Sequence, residues 1–153
     1  MLVLLDTTPL GLAVHPNANE SKPILTWLAE LRKAKVQVKI PAISDYELRR
    51  ELLRIDSKKS LQILDKFIEL YGYLPLNRRT LNVAASFWSD LRKIAKAGSH
   101  DKELDGDVIL AAQAAIEKAR SENKGNDVVI ATENLKHFAN LSVTAKTWTD
   151  IKV

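Results

Sequence analysis

The sequence contains no cysteine, which removes a disulfide framework, a thiolate metal site and a cysteine nucleophile from consideration and fits a reducing cytosol. It also has no apolar run approaching the roughly 18 residues that a membrane span needs. A soluble, cytoplasmic chain with no membrane partner is therefore expected. The short apolar run at the N-terminus is preceded by no basic segment and passes directly into Asp6, so no secretory signal is expected. Glycine is scarce, at five residues, and no glycine-rich phosphate loop is present, which counts against a nucleotide-binding α/β protein. Neither charge dominates. Lys and Arg total 23 against 19 Asp and Glu, a net +4, which permits an anionic partner such as nucleic acid without demanding one. Internal repeats and low-complexity segments are missing too. What remains is 153 residues with 46% hydrophobic and 27% charged content, ordinary for one soluble globular domain spanning 1–153.

The opening stretch, Leu2-Val3-Leu4-Leu5, reads as a strand buried on both faces, because a half-exposed strand would alternate apolar with polar residues. Pro9 to Val14 reads as a short helix or turn. A helix over about 22–34 follows, with Ser21 as its cap, Pro23 in its first turn and Ile24, Leu25, Trp27, Leu28 and Leu31 at helical spacing. Val36 to Ile40 alternates as a second strand. Ser44 with Glu47 three residues on forms a capping box, opening a helix to about residue 55. Asp56-Ser57 starts the next helix, and Tyr73 to Leu76, punctuated by Pro75, reads as a third strand at a sheet edge. A long helix runs from Thr80 to Ala97 and stops at Gly98. After a polar loop, Asp105-Gly106-Asp107 leads into an Ala-rich helix that should be nearly buried. A turn at 123–126 precedes a buried strand over Val128 to Thr132, and Leu141 to Ala145 is a shorter last strand. This alternation argues for an α/β three-layer sandwich with a mostly parallel sheet.

In an open parallel sheet the ligand crevice lies beyond the carboxyl ends of the strands. Four places put polar chemistry there: Asp6 after the first strand, Glu47 in the helix after the second, Asp105 and Asp107 entering the buried helix, and Thr132-Glu133-Asn134 after the fourth strand. Carboxylate oxygens are the ligands that hard divalent cations prefer. Metal ions so held can activate water against a phosphodiester, which is a nuclease layout. Each residue also has a plainer reading. Asp6 can cap the following helix, Glu47 can complete its capping box, and Asp105 or Asp107 can complement a helix dipole. A metal site, unlike a set of independent caps, requires all of them on one edge of the sheet.

Taken together, Leu5-Asp6-Thr7-Thr8-Pro9-Leu10, Ile43-Ser44 with Glu47-Leu48, Leu104-Asp105-Gly106-Asp107 through Ala114, and Val129-Ile130-Ala131-Thr132-Glu133-Asn134 with His137-Phe138 resemble the PIN-domain family. The likeness is greatest to the VapC-type toxins of toxin–antitoxin pairs, and its blocks span essentially the whole chain. The resemblance implies a five-stranded parallel sheet flanked by helices. It also implies a Mg²⁺- or Mn²⁺-dependent endoribonuclease, usually a homodimer, held silent by a cognate antitoxin. Carried over by position, Asp6, Glu47 and Asp107 would be the catalytic acids and metal ligands, Asp105 an additional ligand, and Thr8 the hydroxyl supporting Asp6. Asn134 occupies a place where relatives carry Asp or Asn. Its uncharged amide predicts a weaker second metal position and one bound ion. Clustered acids repel without an ion, so at least one should hold a proton more tightly.

Basic residues recur at Arg49-Arg50, Arg54, Lys58-Lys59, Arg78-Arg79 and Arg92-Lys93-Lys96, mostly on helix faces where solvent contact is the ordinary role. Arg49 and Arg50, within a turn of Glu47, are the best candidates for RNA phosphate contacts. Trp27 and Trp88 read as core or interface, with Trp27 and Leu28 offering a dimer surface. His15 and His137 read as supporting or structural and His100 as a loop residue. Two competing readings stand beside the nuclease. One is a PIN-like interaction module without activity; the other is a response-regulator-like or nucleotide-binding α/β protein with a Mg²⁺-binding acid after the first strand.

Overall fold

The computed structural model describes residues 1–94, 104–120 and 125–153. Five strands form one parallel sheet: β1 (Leu2–Leu5), β2 (Gln37–Pro41), β3 (Tyr73–Leu74), β4 (Val128–Ala131) and β5 (Thr144–Lys146), in the spatial order β3-β2-β1-β4-β5. β1 is central, and its unbroken aliphatic run is buried on both faces. Its side chains divide by alternation: Val3 and Leu5 enter the core on one face, Leu2 and Leu4 the core on the other. The short edge strand β3 ends before Pro75, which could not donate to a further ladder.

Among the described residues six α-helices accompany the sheet, α1 (Thr7–Ala13), α2 (Ala18–Lys33), α3 (Ala42–Arg54), α4 (Lys58–Tyr71), α5 (Arg78–Ile94) and α6 (Leu104–Ala119), with short 3-10 turns at Leu135–Phe138 and Trp148–Asp150. α1 to α4 cover one face, with Leu10, Leu28, Leu31, Leu48, Leu52 and Leu64 around Val3 and Leu5. The Ala-rich α6 covers the other face through Leu110, Ala111 and Ala114. α5 packs onto α6 rather than onto the sheet, through Ala84 against Val108 and Ala112. Its stripe is therefore only partly covered, with Leu81 and Trp88 exposed.

Several local expectations are corrected. α2 begins four residues earlier than expected, at Ala18, with Asn17 rather than Ser21 as its cap: the Asn17 side chain accepts from the Asn19 N–H at 2.9 Å. Pro23 consequently lies inside the helix and Ser21 is buried. The capping box at Ser44 does not form. α3 starts directly after β2 with Pro41 at the cap position, and Ser44 is fully buried inside it. Trp27 and Leu28 are core residues, so they offer no dimer surface. Trp27 donates from Nε1 to the Ile151 carbonyl at 2.9 Å and meets Trp148 at a ring-centroid distance of 5.6 Å, tying down the C-terminal segment. The expected end of the long helix at Ala97-Gly98, Lys96, His100 with most of its loop, and Asn123-Lys124 lie outside the described residues. Among the described residues no helix is long and apolar enough to cross a membrane.

Candidate metal centre

The strand order fixes where the site must be. From β1 the chain moves outward to β2 and β3, then returns to the other side of β1 with β4 and β5. Neighbouring β1 and β4 therefore send their connections opposite ways, and a crevice opens at their carboxyl ends. Asp6 and Thr132 are the residues that follow these two strands. The Asp6 N–H donates to the Ala131 carbonyl at 3.0 Å, and Thr132 Oγ1 donates to Asp6 Oδ2 at 2.6 Å. Asp6 Oδ1 accepts from the Thr7 N–H at 2.7 Å. Asp6 thus caps α1 and also faces the crevice; its two readings are compatible.

Glu47 reaches the same place because α3 starts without a connector, which leaves its second turn above the end of β2. Asp107 arrives from the other layer. A helix leading into a parallel strand runs against it, so α6 has its first turn at the carboxyl edge of the sheet. Asp6, Glu47 and Asp107 consequently line one open cleft of about 380 Å³, with Thr7, Thr8, Arg50, Asn134 and His137 around them.

The carboxylates have partners. Glu47 Oε1 accepts from Thr7 Oγ1 at 3.3 Å, and its Oε2 stands 3.8 Å from Arg50 Nη2. His137 Nδ1 lies 2.9 Å from Asp107 Oδ2. Among the described residues no three His, Asp or Glu side chains stand in an arrangement that could hold a metal ion. Burial pushes the Asp107 carboxyl up to about 6; His137 pulls against this, while the charges of Asp6 and Glu47 add to it. Burial likewise raises Glu47, helped by Asp6 and opposed by Thr7 and Arg50. The three carboxylates lining the cleft offer the oxygen donors that hard divalent cations prefer.

Other expected site residues are distributed differently. Asp105 is exposed and lines a separate apolar hollow of about 350 Å³ with Leu81, Trp88 and Ile109. The reason is helical: positions two apart point roughly 200° from each other, so Asp105 and Asp107 cannot share the cleft. The hydroxyl on Asp6 belongs to Thr132, not Thr8, because Thr132 emerges from the adjacent strand while Thr8 faces solvent at the cleft rim. Asn134 lines the cleft and its N–H donates to Thr132 Oγ1 at 3.0 Å. Arg49 is committed elsewhere, bonded to Asp45 at 2.9 Å and to Asp65 of α4 at 2.8 Å. Arg50 stays at the cleft, with its guanidinium carbon 5.3 Å from the centroid of the exposed Tyr46 ring. His137 has the supporting role expected of it, with Asp107 as the partner that the fold supplies, while Gly106 was overlooked.

An acidic cleft at the switch point of a five-stranded parallel sheet, closed on both faces by helices, defines an α/β protein of PIN-like architecture. Solved structures share it, two of them from VapBC complexes. A chain of VapBC2 from Rickettsia felis, in a complex bound to a DNA fragment from their promoter, matches with a TM-score of 0.72 and 17% identity over 97% of this chain and 99% of its own. A chain of VapBC-1 from nontypeable Haemophilus influenzae matches at 0.64 and 18% identity, over 98% and 100%. No protein-family model and no curated protein sequence matches the chain. The fold is the PIN-like fold of VapC.

Proposed function

We propose that this protein is a Mg²⁺- or Mn²⁺-dependent endoribonuclease acting as the toxin of a toxin–antitoxin pair. The observation that carries the reading is the meeting of Asp6, Glu47 and Asp107, from three distant parts of the chain, in one cleft. These three carboxylates would hold the ion. When bound, it supplies Lewis acidity toward a phosphodiester and lowers the pKa of water. The chain's own groups orient the site. Thr132 and the Thr7 N–H fix the Asp6 carboxylate, and His137 holds that of Asp107. Arg50 offers a cation to an RNA phosphate at the cleft wall, and Asn134 an uncharged amide. The solved neighbours being VapBC complexes supports an antitoxin partner.

Asp6→Asn tests the reading, since asparagine keeps the helix cap while removing the charge. We expect wild-type protein to cleave single-stranded RNA with Mn²⁺ and the variant to be folded and inactive. A folded Asp6→Asn variant as active as wild type would end the assignment, as would a wild type that cleaves equally well in excess chelator.

A further inference from the structure

Gly106 stands in the first turn of α6, and its backbone is ordinary helix, without the positive φ seen at Gly72 and Gly125. Nothing in its conformation calls for glycine. Space does. A methyl group there would lie 2.8 Å from Glu47 Oε1, 2.9 Å from Oε2 and 3.0 Å from Cδ, so the whole carboxylate rests on the bare Cα. The helix N-terminus and the carboxylate belong to different layers of the fold and meet only because this side chain is missing.

We propose that Gly106 is a positioning residue for cation binding: by leaving room above its Cα it seats the Glu47 carboxylate in the cleft alongside Asp107. This rests on the metal-site reading above. Alanine forms helix better than glycine, so Gly106→Ala leaves α6 intact. What yields instead is the Glu47 carboxylate, the tip of a flexible side chain held by one 3.3 Å hydrogen bond and one 3.8 Å ion pair. Displacing a group that orients a metal ligand typically weakens metal affinity by about 10–100-fold.

The experiment is Mn²⁺ titration by calorimetry on wild type, Gly106→Ala, Glu47→Asp and the double variant, with the ¹³C resonance of Glu47 Cδ recorded in the ion-free wild type and Gly106→Ala. Gly106→Ala should weaken Mn²⁺ binding by about tenfold or more and shift the Glu47 resonance. Glu47→Asp draws the carboxylate back by one methylene and gives the methyl group room. Adding Gly106→Ala to Glu47→Asp should therefore change the affinity by less than about threefold, the non-additivity of groups in contact. Wild-type affinity in Gly106→Ala, or an equal loss in both backgrounds, overturns the proposal. A wild type that binds no Mn²⁺ overturns the metal reading itself, and the Glu47 resonance then decides the seating alone.

Discussion

Burial holds the Asp107 carboxyl at about 6, well above its ordinary 3.8, and raises Glu47 in the same direction. Between those two pH values the folded chain keeps a proton that the unfolded chain has lost, so the folded state binds more protons and stability falls as pH rises through this window. The ion-free protein should therefore lose stability from the ordinary carboxylate range up to about pH 6 on account of Asp107. Asp107→Asn, which has no charge to bury, should flatten that decline and make the chelated protein more stable than wild type at pH 8. Urea melts in excess chelator at a series of pH values measure this; parallel wild-type and variant curves would contradict it. At the same scale, Asn134 lines the cleft with an amide that carries no charge, and under the proposed function this predicts a weak second cation position.

On α3, neighbouring positions have separate work. Arg49 ties Asp45 to Asp65 and so links α3 to α4, whereas Arg50 turns to the cleft. Arg50→Ala should weaken RNA binding and reduce the slope of log affinity against log salt by about 0.7, the single-strand value for one phosphate contact. Arg49→Ala should leave that slope unchanged and instead lower stability by up to ~1 kcal/mol, as expected of a partly exposed ion pair. Salt-dependent binding of a non-cleavable RNA separates the two. The same helix shows why local sequence misleads: Ser44 and Glu47 have capping-box spacing, yet Pro41 ends β2 in a conformation from which the helix can start at once. Ser44 is then interior and Glu47 is free for the cleft. In α2, Asn17 and Ser21 are both competent caps by residue type, and the earlier one is used because Ser21 is drawn into the core.

At the scale of the whole molecule, the proposed metal site would link cation binding to stability. Mn²⁺ at about 100 times its dissociation constant should add ~2.7 kcal/mol to wild type, seen as a rise in melting temperature, and that rise should vanish in Asp107→Asn. Equilibrium titration should count one ion; two tightly held ions would contradict the weak second position assigned to Asn134.

The alternation of aliphatic runs with amphipathic segments was enough to determine an α/β sandwich, a first strand buried on both faces and an Ala-rich buried helix, because burial on two faces dictates composition regardless of partners. Asp6 at a strand end and Asp107 at a helix start were legible for the same reason: both positions are set by local elements. The detailed arrangement around the cleft, and the exclusion of Asp105 from it, were not. They depend on helix phase, which turns Asp105 away, on strand adjacency, which gives Asp6 the hydroxyl of Thr132, and on a contact between layers that demands glycine at 106. Such relations join residues far apart along the chain, so no local pattern encodes them. Tertiary packing alone decides them.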